Sequence, residues 1–118
     1  MKFSHFLLSV GIACSMILGS AHGHATLEHS TPANNEVLRT APKSIDLTFG
    51  HPTKLVMIKL TKGTDNMLIN FTPASTASTT FSIPLPVLTS GKYLATWSTL
   101  SDDGHPMKGA ITFTIVGS

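Results

Sequence analysis

From Gly91 to Leu100 apolar and polar side chains alternate without a break, with Tyr93, Ala95, Trp97 and Thr99 on one side and Leu94, Thr96, Ser98 and Leu100 on the other. A period of two belongs to a β-strand that turns one face to a core. The pattern recurs at Ile45–Phe49 and at Ala110–Val116, where Ile111, Phe113 and Ile115 form the inward set. Nothing after residue 23 carries a helical period, so this part of the chain is confined to an all-β fold.

Turn residues divide the remainder. Ala25–His29 is an expected first strand, followed by a polar loop at Ser30–Asn35. Gly50-His51-Pro52 is expected to end the Ile45–Phe49 strand. Lys54–Thr61 follows, with Val56, Ile58 and Leu60 on one face and Met57, Lys59 and Thr61 on the other. Lys62–Asn66 reads as a turn and Met67–Phe71 as the returning partner. Thr72–Thr80 reads as a long connection to a short strand near Phe81–Ile83, where Pro84 and Pro86 exclude a central position in a sheet. Ser101–Gly109 links the Gly91 strand to the last one. About seven short strands in one small domain predict an immunoglobulin-like Greek-key β-sandwich or barrel. Trp97, Phe49, Phe71, Phe113 and Tyr93 are the large side chains available to its core.

Residues 1–23 stand apart from that domain. Lys2, the apolar run Phe6–Leu18 and the small-residue zone Gly19–Gly23 have the layout of a cleaved secretory signal peptide, which leaves residues 24–118 as the mature domain. No later segment is apolar enough to cross a membrane as a helix, so no direct membrane insertion is expected after cleavage. Cys14 is the one cysteine and lies inside the leader, so the domain has neither a disulfide nor a thiolate ligand. The formal net charge is +2, of which Lys2 supplies one, and the remaining charges are dispersed along the chain. That balance offers no electrostatic footprint for nucleic acid or anionic lipid.

A secreted domain without cysteine can still hold a metal through histidine and carboxylate. Asp103 and His105 lie two residues apart in Asp103-Gly104-His105-Pro106, a turn in which both side chains can point one way. Asp-Gly is also a common structural turn, so the spacing alone leaves both readings open. His24 adds to the first. Ala21-His22-Gly23 satisfies the small-residue rule for signal peptidase, and a cut after Gly23 makes His24 the first residue, with an α-amine beside its ring. The α-amine has a reference pKa near 7.7–8.0, so a metal can displace its proton at neutral pH. With Asp103 and His105 this makes a nitrogen-rich set with one oxygen, which suits Cu(II). A cut after Ala21 is the alternative. It would start the chain at His22-Gly23-His24 and create a local four-nitrogen Cu(II) site that needs neither Asp103 nor His105.

The start HATLEHSTPANN, the strand IDLTFGHP and the ending GKYLATWSTLSDDGHPMKGAITFTIV, preceded by a signal peptide, resemble the CopC family of periplasmic copper-binding proteins. The most specific parts are the mature N-terminal histidine, the Ser/Thr-x-Pro-Ala segment and Asp-x-His-Pro-x-x-Gly ahead of a final strand. The resemblance implies a periplasmic Greek-key sandwich that binds Cu(II) through His24, Asp103 and His105. Some members add a Met-rich loop for Cu(I). Here Met57, Met67 and Met107 are scattered, so one Cu(II) site and no Met-rich Cu(I) site are expected. His51 stands where members often carry a glutamate near the copper; it is a candidate further ligand or ligand partner, with an exposed turn residue as the alternative. His29 and Asp102 are read as surface residues.

The function this implies is sequestration of copper, or its transfer to a membrane copper transporter or another copper protein, in copper homeostasis or resistance. It requires no enzymatic turnover. Two other classes are a small secreted copper-dependent oxidative enzyme and a metal-free structural sandwich. The first would need a broad substrate face, and the aromatic residues here fall on strand faces read as buried.

Overall fold

The computed structural model describes residues 26–117. Ala25, the expected start of the first strand, lies outside the described residues, as do His24 and residues 1–23, the expected leader. Seven strands follow: β1 (Leu27–Thr31), β2 (Glu36–Leu38), β3 (Ser44–Lys62), β4 (Asp65–Met67), β5 (Ser78–Pro84), β6 (Gly91–Leu100) and β7 (Pro106–Ile115). They form an all-β, mixed, curled sheet, and no helix occurs among the described residues.

β3 organises the two layers. Its first half pairs with β1 on one side and β5 on the other. Its second half pairs with β4 and with β6, and the ladder continues through β7 to β2. Gly50-His51-Pro52 therefore does not end the strand as expected. The pairing with β5 is interrupted between Thr48 and Thr53, and the pairing with β6 begins at Lys54. Chain bends where a strand changes sheets use the same residues as turns, because both require a break in the ladder.

Alternation correctly places the inward faces of β6 and β7. Tyr93, Ala95, Trp97 and Thr99 are buried, as are Ile111, Phe113 and Ile115. In the second half of β3 it fails by one residue: Leu55 is fully buried, Val56 is not, and Ile58 and Leu60 return inward. A register shift between Leu55 and Met57 opposite β6 explains this, since one extra residue flips every side chain before it to the other face.

Other boundaries also move. The β3–β4 turn is only Gly63-Thr64, and β4 starts at Asp65 rather than Met67. Met67 and Phe71 pack at the margin of the core rather than in it. β5 begins three residues before Phe81, and it keeps Pro84 at its end, on an edge. β2 pairs parallel with β7 over three residues, too few to carry a periodic signal.

The core is held by stacked and edge-on aromatic contacts. Tyr93 and Phe113 stack with centroids 5.3 Å apart, and Phe49 meets Phe81 edge-on at 6.0 Å. The Tyr93 hydroxyl donates to the Thr89 carbonyl at 2.6 Å, which satisfies its one polar atom. Trp97 lies against Gly109 of β7, its cross-strand partner, and a Cβ there would overlap the indole.

Candidate metal centre

The β6–β7 hairpin closes through Ser101–His105, shorter than the expected Ser101–Gly109 because Pro106–Gly109 already belong to β7. The Ser101 N–H donates to the His105 carbonyl at 3.1 Å and the Gly104 N–H to the Ser101 carbonyl at 2.9 Å. Gly104 has φ 84°, a left-handed conformation that a side chain disfavours. These local constraints turn Asp103 and His105 toward each other, and His105 Nδ1 lies 2.7 Å from Asp103 Oδ2.

Ser101, only 8% exposed, anchors the arrangement. Its hydroxyl donates to Asp103 Oδ1 and accepts from the His105 N–H at 3.3 Å. The hydrogen bond from Ser101, and then that from His105, hold the Asp103 carboxyl down at about 2, below its ordinary 3.8. Because the folded value is the lower one, the interaction is fully present above pH 3.8 and is lost as the pH falls through about 2. Ser101, which holds Asp103 and His105 in place, is the residue of this turn that sequence reasoning passed over. A hydroxyl two residues before a turn aspartate was the available signal.

A carboxylate on Nδ1 fixes the imidazole and places its remaining lone pair on Nε2, the arrangement by which proteins commonly orient a metal-binding histidine. Removing the hydroxyl should loosen it. Ser101→Ala is expected to raise the Asp103 pKa toward 3.8, which carboxyl chemical shifts followed through an acid titration would show. An unchanged titration would assign the low value to His105 alone.

The expected partner His24 lies outside the described residues, but the chain that follows it does not. Thr26 accepts a hydrogen bond from the Gly50 N–H at 3.0 Å. Thr26 and Leu27 line one cleft together with Trp97, Thr99 and Met107, so β1 starts beside the strand that leaves the His105 loop. His24 stands two residues before Thr26 in the chain.

His51 is exposed and belongs to the same end of the sandwich. Gly50 before it is tied to Thr26, and Thr53 after it donates from its hydroxyl to the Leu100 carbonyl at 3.1 Å. Glu28, which sequence reading did not single out, brings a carboxylate to this rim: a Cβ on Gly50 would sit 2.9 Å from its Oε1. Among the described residues Asp103 and His105 are brought together, while no group of three or more His, Cys, Asp or Glu side chains is close enough to hold a metal. His29 is exposed, its Nε2 3.5 Å from the Thr31 hydroxyl, and Asp102 is exposed, as expected for surface residues. The larger depression, lined by Arg39, Leu88, Ser90 and Ile115, lies at the opposite end of β6 and β7.

Residues 27–116 match the CopC domain. The chain belongs to the CopC family. Protein YobA of Escherichia coli (strain K12) is 34% identical over 110 residues, which cover 88% of each chain. Copper resistance protein C of Xanthomonas campestris pv. juglandis is 28% identical over 117 residues, covering 90% of this chain and 91% of that one. Among solved structures, PcoC of Escherichia coli, a methionine-rich copper resistance protein, superposes with a TM-score of 0.65 at 25% identity, over 79% of this chain and 99% of that one. CopC of Methylosinus trichosporium OB3b gives a TM-score of 0.65 at 23% identity, over 78% and 93%, and bears on the fold alone. The expected β-sandwich architecture and family thus both hold.

Proposed function

We propose that this CopC-family chain is a periplasmic Cu(II)-binding protein that sequesters copper or passes it to another copper protein or a membrane transporter. Residues 1–23 are the leader, and the ligands are the His24 amine and ring, the His105 ring and the Asp103 carboxylate. The observation that carries the reading is the pre-formed Asp103–His105 pair at the end of the sandwich where β1 begins. Copper resistance protein C of Xanthomonas campestris pv. juglandis, matched over most of the chain, supports the choice of metal.

The pair divides the chemistry. Asp103 is ionised at every pH at which the domain is expected to work, because its pKa is about 2. Copper affinity therefore follows the nitrogen ligands, whose protons the metal must displace, and it falls as the pH drops. An exposed loop beside a chain terminus also leaves the metal accessible for exchange, which suits holding and transfer rather than turnover. Copper bound in this way is cargo, and no chemical step is assigned to the protein.

Spin-resonance spectroscopy of protein whose N-terminus has been established by mass spectrometry tests the reading. With one equivalent of Cu(II), the chain starting at His24 should show three nitrogen donors, and His51→Ala shows whether that ring contributes. A start at His22 with a four-nitrogen spectrum that survives His105→Ala would overturn the ligand set.

A further inference from the structure

Charges that are dispersed along the sequence are gathered by the fold. Tyr93, Ala95, Trp97 and Thr99 of β6 point to the core, so the residues between them, and whatever pairs with those, point outward. Lys54 lies opposite Leu100, Lys59 opposite Thr96 and Lys108 opposite Ser98, while Lys92 of β6 lies opposite Thr114. These four lysines therefore share one outer face, on which Lys59, Lys92 and Lys108 are exposed. Among the described residues none of them forms an ion pair. No carboxylate joins them there. Glu36 pairs with the inward Phe113, and Asp65 lies opposite Lys62, itself opposite the inward Tyr93. Asp102 and Asp103 belong to the loop beyond Leu100. The other layer has the opposite character: β1, β5 and the first half of β3 carry Glu28 and Asp46 and no Lys or Arg.

We propose that this outer face of β3, β6 and β7 docks on the surface of a membrane containing anionic lipid. The occupant follows from the charge: a face with four cations and no carboxylate is complementary to a plane of phosphate headgroups, and the acidic layer behind it turns away. The layout favours a bilayer over a protein partner. The lysines are spread over three strands instead of surrounding one pocket, and such a spread needs no register when anions occupy the whole facing plane. Their stems can lie along the sheet while the ammonium groups reach the headgroups. Leu94 and Leu100, exposed between them, suit the boundary of headgroups and acyl chains. Leu94 shares a shallow depression with Lys92 and the hydroxyl-bearing Thr61 and Thr112. The contact is peripheral and leaves the fold unchanged. It does not depend on the copper reading, because none of the proposed ligands lies on this face.

Co-sedimentation with vesicles of phosphatidylglycerol and phosphatidylcholine tests this, using processed protein whose N-terminus has been established by mass spectrometry. Vesicles of phosphatidylcholine alone are the control. Binding is expected at low salt to the anionic vesicles only, and should vanish at about 1 M salt, where the screening length falls to about 3 Å. A lysine near an anionic surface contributes about fivefold to partitioning, so Lys59→Gln and Lys92→Gln should each reduce it about fivefold and together about 25-fold. Lys43→Gln removes the same charge from an exposed position ahead of β3, off this face, and should leave partitioning nearly unchanged. All three side chains are exposed, so these variants keep the fold. Equal losses in Lys43→Gln and Lys59→Gln, or equal binding to both kinds of vesicle, overturns the inference. So does absence of binding at low salt, which would leave the face to an acidic protein partner.

Discussion

Replacing His105 by alanine, or placing one extra residue before His24, is expected to weaken Cu(II) binding to the processed protein by about a hundredfold or more. Loss of an orienting neighbour alone costs about 10- to 100-fold in metal affinity, and these changes remove a ligand outright. The two act through different atoms. His105→Ala removes the ring that Asp103 holds at 2.7 Å and leaves the terminal amine intact. The extension converts the His24 α-amine into a peptide nitrogen, which binds copper only after losing a far less acidic proton, while the Asp103–His105 pair is untouched. Competition titrations against a Cu(II) chelator at neutral pH measure both. Unchanged affinity in both variants would be fatal to the proposed site. Unchanged affinity in His105→Ala alone would point to the local site of a chain beginning at His22.

The second large effect is on stability. Trp97→Ala is expected to cost about 3–5 kcal/mol in chemical denaturation, the range for deleting a buried large aromatic side chain. Trp97 is 4% exposed and lies over Gly109, where no side chain could share the space. With a total stability for small domains of about 5–15 kcal/mol, such a loss brings the protein close to its unfolding threshold. The contact itself can be isolated. Gly109→Ala should destabilise the parent, because its new methyl group overlaps the indole, and should be nearly neutral once Trp97 is alanine. Additive losses in the double variant would show that Gly109 is needed for its backbone rather than for the ring above it.

How much was legible in the chain depends on the range of the interaction concerned. The inward faces of β6 and β7 could be read from alternation because each strand runs for ten residues without a bulge. In β3 the same rule put Val56 inward where Leu55 is buried, because a bulge is set by the partner strand and leaves no mark on the hydrophobic period. Gly50-His51-Pro52 shows the same limit. These residues announce a break in pairing, and whether the break is a turn or a change of sheet is decided by β5 and β6 lying on either side of it.

The candidate site divides along the same line. The sequence by itself determined that Asp103 and His105 share one short turn, marked by a glycine between them and a proline after them, and left a structural turn and a metal loop both open; that the two side chains meet was decided by the fold. The sequence also leaves residues 26–117 without a cysteine. Only the tertiary structure decided what surrounds that pair. Thr26 and Met107 in one cleft, and His51 and Glu28 on the same rim, come together through ladders that join residues tens of positions apart. The register of such ladders follows from burying one face of every strand at once, a condition on the whole chain that no local stretch contains.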